Sequence, residues 1–190
     1  MKIDDYVLRR VMREFKALLD ALGKDFIVSV NVSAKNIGSK NFADKVEKML
    51  AEEQFLPKNL EIEITEYSFS DSMETTIENI NKLKALGVQI ALDDFGTGYT
   101  SIANLMKLPI NLLKIDKSLI DDIETNHTAR DMVDSVIYMG HVMNCDVISE
   151  GVETEKQLEL LREHNCDFIQ GFVWGKPQSY DDAKNLCQHG

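Results

Sequence analysis

The strongest constraint on the fold is an alternation repeated along the chain. Segments with the two-residue period of a strand are each followed by a segment with helical period. The strand-like stretches cover 26–32, 60–65, 88–94, 112–116, 146–150 and 168–172. The helix-like ones cover 4–22, 41–54, 72–86, 127–143, a stretch opening at Thr154, and 179–187, with a further helical turn or two at 101–106. Parallel strands need crossovers long enough to hold a helix, so β-then-α units in succession imply a helix-covered parallel sheet, an α/β fold. Val7, Val11, Phe15, Leu18 and Leu22 form the apolar stripe of the first helix, and Met73, Ile77 and Ile80 and then Met132, Val136 and Met139 mark two later ones. Gly23 and Gly87 end helices, Pro57 breaks one, and Thr154 with Gln157 reads as a capping box ahead of Leu158 and Leu161.

Near the carboxyl end of every predicted strand stands a polar or charged side chain: Asn31, Glu63, Asp93 with Asp94, Lys114, Glu150 and Gln170. In the third strand Val88, Ile90 and Leu92 share one face, so Asp93 leaves by the other. Asp94 joins it only if the strand is ending, and Gly96 and Gly98 permit such a turn. An isolated Asp-Asp pair is commonest in a solvated turn, but the whole set argues otherwise. A closed β/α barrel gathers its strand ends on one rim, where such barrels carry catalysis; an open doubly wound sheet would not collect all of these residues.

Several carboxylates and an amide oxygen meeting with a single lysine would repel one another unless hard cations sat among them. Oxygen donors alone suit Mg²⁺ or Mn²⁺ rather than zinc. Two such ions roughly 3.5–4 Å apart are a common arrangement for phosphodiester hydrolysis. Lys114 would orient the water or stabilise developing charge.

Composition narrows the class. The 190 residues are 44% hydrophobic, enough for one domain, 1–190, with a sizeable core. A net charge of −11 argues against coating a nucleic-acid polymer or contacting an anionic membrane. Cys145, Cys166 and Cys187 lack disulfide or zinc spacing, and His127, His141, His164 and His189 lack ligand spacing, so reduced cytoplasm is the expected compartment. No run is long and apolar enough to span a membrane, and the start has no signal-peptide pattern.

Val30-Asn31-Val32-Ser33, Glu63-Ile64-Thr65-Glu66, Asp93-Asp94-Phe95-Gly96-Thr97-Gly98-Tyr99, Leu113-Lys114-Ile115-Asp116, Glu150-Gly151-Val152-Glu153-Thr154 and Gln170-Gly171-Phe172 together resemble the signature motifs of the EAL domain family. The resemblance covers about residues 4 to 178. It implies a β/α, TIM-like barrel that hydrolyses the bacterial second messenger cyclic di-GMP to linear pGpG with Mg²⁺ or Mn²⁺. By position, Asn31, Glu63, Asp93, Asp94 and Glu150 match the metal ligands. Lys114 and Gln170 match residues near the attacking water, and Glu66 matches the acid that holds the loop after Asp94.

The name-giving Glu-Ala-Leu segment is absent from these residues. Six strands stand where the barrel has eight, so the expectation is an incomplete barrel lacking its first two strands, one metal ligand and a substrate-contacting arginine. Such a chain is a fragment or a degenerate member, with truncation favoured, and is expected to be impaired as an enzyme alone. The alternative is a non-catalytic cyclic di-GMP-binding, regulatory or dimerisation module. Open strand edges would favour a homodimer, and sensory or GGDEF-type domains are expected flanking partners. Thr100, Ser149 and the Trp174-Gly175 pair are mild departures from the family pattern. Glu61 and Glu153 read either as further ligands or as surface or loop-bracing residues, and Trp174 as packing in the core or at the rim, with stacking on a guanine the alternative.

Overall fold

The computed structural model describes residues 3–22, 26–69, 73–96 and 105–189. Its strands are β1 (Val28–Asn31), β2 (Leu60–Thr65), β3 (Gln89–Phe95), β4 (Leu112–Ile115), β5 (Asp146–Ser149) and β6 (Phe168–Ile169), in one sheet that follows chain order. The pairings β1–β2, β3–β4, β4–β5 and β5–β6 are parallel. The described helices are α1 (Ile3–Leu22), α2 (Ala34–Ile37), α3 (Phe42–Glu53), α4 (Met73–Leu86), α5 (Lys117–Ile120), α6 (His127–Val142), α7 (Glu155–Glu163) and α8 (Tyr180–His189). This is the α/β class expected. None of the described helices is long and apolar enough to cross a membrane. Thr97, Gly98, Tyr99, Thr100 and residues 101–104 of the helical turn expected at 101–106 lie outside the described residues.

The chain divides into two compact units, Met1–Ile64 with Ser68–Ile90 and Pro177–Gly190, and Thr65–Tyr67 with Ala91–Lys176. In the first, α1 buries Leu8, Met12, Leu18 and Leu19, while Val7, Val11 and Phe15 are half-buried. The stripe is therefore rotated by about one residue from the expected Val7 phase. Phe15 meets the Tyr180 ring edge-on at 5.5 Å, and Tyr180 Oη donates to the Glu14 carbonyl at 2.9 Å, fixing α8 on α1. In α4 the inward face carries Thr76 and Asn79 beside Ile80 and Leu83. Asn79 Nδ2 donates to the carbonyls of Ile37 and Ser39, and its Oδ1 accepts from Ala43 N at 3.3 Å. A buried amide so satisfied ties down the turn between α2 and α3.

In the second unit α6 turns Val133, Val136, Ile137 and Gly140 inward, and Met132 is exposed, which corrects the stripe expected for this helix. A Cβ at Gly140 would collide with Val147, so the helix sits close against β5. The capping box forms: Thr154 Oγ1 accepts from Gln157 N at 3.0 Å, while Gln157 Oε1 accepts from Thr154 N at 3.1 Å. β6 is two residues long, shorter than expected, and Gln170 falls just beyond it.

Candidate active site

Asp93 and Asp94 come to one place through a bulge near the end of β3, which stops at Phe95, one residue after Asp94. Leu92 pairs with Leu113 and Phe95 with Ile115, so the two aspartates on β3 stand opposite the single residue Lys114 on β4. Two residues facing one is the signature of a β-bulge, which bends a strand and re-aims its side chains. Asp94 takes φ 56°, the left-handed region that Asp tolerates better than most residues. Its amide donates to Asp93 Oδ1 at 3.0 Å. Gly96 follows with φ 107°, and a Cβ there would stand 2.5 Å from Leu119 Cδ1. Its amide donates to Glu66 Oε1 at 3.0 Å, so the buried Glu66 carboxylate grips the chain just after β3.

Lys114 is 4% exposed. Its Nζ lies 3.3 Å from Asp93 Oδ1 and 2.7 Å from Glu150 Oε1. Glu150 reaches this position because its amide donates to the Ile115 carbonyl at 3.0 Å, extending the β4–β5 register one residue past the strand. Asp94 is half-buried, and desolvation, then the charges of Asp93 and Asp116, hold its carboxyl above the usual range, against the opposing pull of Lys114. Asp116 is held low, chiefly by the Ser118 hydroxyl, with the Ser118 amide donating to Oδ1 at 3.0 Å as well. Lys114 thus pairs with Asp93 and Glu150 and its charge also acts on Asp94, so carboxylates outnumber this ammonium, an excess that a hard cation would relieve.

Gln170 is exposed, with its backbone fixed at both ends: its amide donates to the Ser149 carbonyl at 2.8 Å, and its carbonyl accepts from Val152 N at 3.1 Å. Gly171 lies so close to Val152 that a Cβ there would overlap the Val152 backbone. In the other unit, Asn31 pairs directly with Glu63 at the carboxyl ends of β1 and β2, and Val32 N donates to the Glu63 carbonyl at 2.9 Å. Asn31 is exposed and Glu63 is buried.

The expected residues therefore form two groups, Asp93, Asp94, Lys114 and Glu150 in one unit and Asn31 with Glu63 in the other, with Glu66 bracing Gly96. Among the described residues, no three His, Cys, Asp or Glu side chains stand together as a ready-made metal cage. Lys114 lies between two of the expected ligands. The donor chemistry nonetheless fits a hard divalent cation, since every candidate ligand offers oxygen. Sequence reasoning gave Asp116 no role; its signal was the Asp-x-Ser spacing that caps α5, where Asp116 accepts from Ser118. The surface reading of Glu61 and the core-packing reading of Trp174 are corrected. Glu61 is buried and accepts from Ser29 Oγ at 2.7 Å, because alternation points it to the same face as Glu63. Trp174 is 71% exposed, beside Phe168 and Arg162 in a cleft of about 330 Å³. Glu153 is exposed and pairs with Lys117 at 3.3 Å.

A family model described as the EAL domain matches residues 1–177. A cyclic di-GMP phosphodiesterase, NbdA of Pseudomonas aeruginosa, is 37% identical over 93% of this chain, which spans 22% of that protein. The signaling protein YkoW of Bacillus subtilis is 40% identical over 82% of the chain, which spans 19% of it. The chain thus covers about a fifth of the length of these relatives. Among solved structures, the EAL domain of Mycobacterium smegmatis DcpA superposes with a TM-score of 0.92 at 31% identity, covering 100% of this chain and 85% of its own. The PaMucR phosphodiesterase in complex with c-di-GMP gives 0.88 at 32% identity, covering 95% and 73%.

Proposed function

This chain belongs to the EAL domain family, and on that premise we propose that it acts on cyclic di-GMP, hydrolysing it to linear pGpG. The observation that carries the reading is the cluster in which the Asp93–Asp94 bulge and Glu150 surround Lys114. Asn31, Glu63, Asp93, Asp94 and Glu150 would hold Mg²⁺ or Mn²⁺, two ions in a complete domain. Bound there, the cations would supply Lewis-acid charge neutralisation at the phosphodiester.

The chain's own residues do the rest. Lys114, held between Asp93 and Glu150, donates hydrogen bonds toward the attacking water or the phosphoryl oxygens, where negative charge develops in the transition state. Gln170, just beyond β6, positions that water through its side-chain amide. Glu66 holds Gly96 and with it the exit from β3, so Asp94 keeps the orientation the bulge gives it. The surplus of carboxylates, which repels an anionic substrate from a bare site, makes binding dependent on cations.

These 190 residues contain no Glu-Ala-Leu segment, and we propose that alone they turn over slowly. The close Lys114–Glu150 pair favours a second reading, a module that binds cyclic di-GMP without cleaving it, because the lysine satisfies two carboxylates that would otherwise need a metal. Chromatographic assay for pGpG after incubation with cyclic di-GMP and MnCl₂, with calorimetry in the same buffers, separates the two. Slow cleavage that disappears in Asp93→Asn supports the enzyme. Binding without Mn²⁺ and without product establishes the module, and neither binding nor cleavage removes both. Flanking sensory or GGDEF-type domains as partners, cytoplasmic placement, and pairing with a second copy belong to the same proposal.

A further inference from the structure

Asp4, in the first turn of α1, reaches the segment that leaves β1. Its Oδ2 accepts from Ser33 N at 2.9 Å, from Ser33 Oγ at 2.6 Å and from Asn36 Nδ2 at 2.6 Å. Ser33 stands two residues after Asn31, and Asn36 is buried in α2. Between Asn31 and Ser33, Val32 N donates to the Glu63 carbonyl, in the register that sets Asn31 beside Glu63. Ser33 occupies the N-cap position of α2 but makes no side-chain cap of its own; its hydroxyl donates to Asp4 instead. A charged acceptor taking three donors makes strong hydrogen bonds in a half-buried setting. The carboxyl end of β1 is thus held on one side by the ladder to β2 and on the other by a carboxylate from a different helix.

We propose that Asp4 is a positioning residue for Asn31: it fixes the exit of β1, and so the direction from which Asn31 offers its amide oxygen. The proposal rests on the reading of Asn31 as a cation donor. A partner one step behind a ligand that sets its orientation changes metal affinity when it is lost, by about tenfold at the low end. A helix that merely packs would change overall stability instead.

The test compares the unaltered chain with Asp4→Ala, Asp4→Asn and, as control, Asn31→Ala. Native-state hydrogen exchange reports on the Val32 amide and on the β2 amides, and water-proton relaxation reports Mn²⁺ affinity. In Asp4→Ala the Val32 amide is expected to exchange about tenfold faster relative to β2, the loss of hydrogen bonds to a charged group being local. Mn²⁺ should bind about tenfold more weakly, as for an outer partner of a ligand, with Asp4→Asn between the two because it keeps one acceptor. Equal acceleration at Val32 and throughout β2 overturns the proposal, as does unchanged Mn²⁺ affinity in Asp4→Ala when Asn31→Ala weakens it. If Asn31→Ala leaves Mn²⁺ affinity unchanged, the donor reading of Asn31 fails, and the exchange data alone decide whether Asp4 holds the strand exit.

Discussion

Replacing Lys114 by methionine keeps an unbranched side chain of similar bulk and removes its charge, leaving Asp93 and Glu150 facing each other with little water. Their side chains are 12% and 19% exposed, so solvent cannot replace the ammonium. Removing one partner of a buried ion pair typically costs about 3 kcal/mol or more. Lys114→Met is expected to lose about that much in urea denaturation, to lose cyclic di-GMP hydrolysis, and to recover stability when Asp93→Asn is added. No recovery in the double variant would mean the lysine acts through packing alone. Ser149 predicts the opposite sign. Its Oγ is buried and has no hydrogen-bond partner among the described residues, so Ser149→Ala is expected to stabilise the chain by about 1 kcal/mol in the same titration. The residue types at the strand ends were legible because alternation forbids charges on the sheet's apolar face. Which of them meet was not, since the contact between Lys114 and Glu150 depends on β4–β5 register, which no local pattern encodes.

At the scale of elements, the strands and most helices could be read from period alone, and the misses have physical causes. Val7 with Leu8 and Val11 with Met12 are adjacent apolar pairs, so either phase gives a stripe; packing in the first unit chose Leu8 and Met12. The same ambiguity moved the buried face of α6 from Met132 to Val133. The β3 bulge was hidden because an inserted residue leaves no mark in a run whose Ile90 and Leu92 keep the strand period up to Asp93. The length of β6 was overestimated because Ile169-Gln170-Gly171 continues an extended pattern, whereas Gly171 turns tightly onto Val152. That close approach makes Gly171 a sharp test. The atoms a Cβ would meet belong to the Val152 backbone and cannot swing aside. Gly171→Ala is expected to cost about 2 kcal/mol or more, in contrast to Gly175→Ala, where a Cβ meets nothing within 4 Å. Equal unfolding midpoints for the two variants would show that the β5–β6 exit yields easily.

For the whole molecule, acid and cations should act in linked ways. Asp4 feels burial pushing its carboxyl up, but its hydrogen bonds with Ser33 and Asn36 outweigh this and hold it below 3.8, its ordinary value. Asp116 is held low by Ser118. A depressed folded-state value contributes stability that is present above the unfolded value and is lost as pH falls through the folded one. Urea midpoints should therefore fall on acidification below about pH 4, and Asp4→Asn should flatten part of that fall. At neutral pH the balance is different, because the chain carries a net charge of −11 and carboxylates outnumber the ammonium of Lys114 where Asp93, Asp94 and Glu150 interact with it. Two kinds of cation effect can be told apart. General screening depends on ionic strength and acts on exposed charges within a Debye length of about 10 Å at 0.1 M. A bound cation stabilises the folded chain by mass action, about 2.7 kcal/mol when its free concentration is 100 times the dissociation constant. Millimolar MnCl₂ is therefore expected to raise the melting temperature well beyond NaCl of matched ionic strength, and Asp93→Asn, which weakens the donor set, should abolish the excess. If NaCl reproduces the whole rise, or if Asp93→Asn keeps it, the carboxylates around Lys114 serve the fold by repulsion relieved in bulk, and the cation-dependent hydrolysis assigned to them has no site.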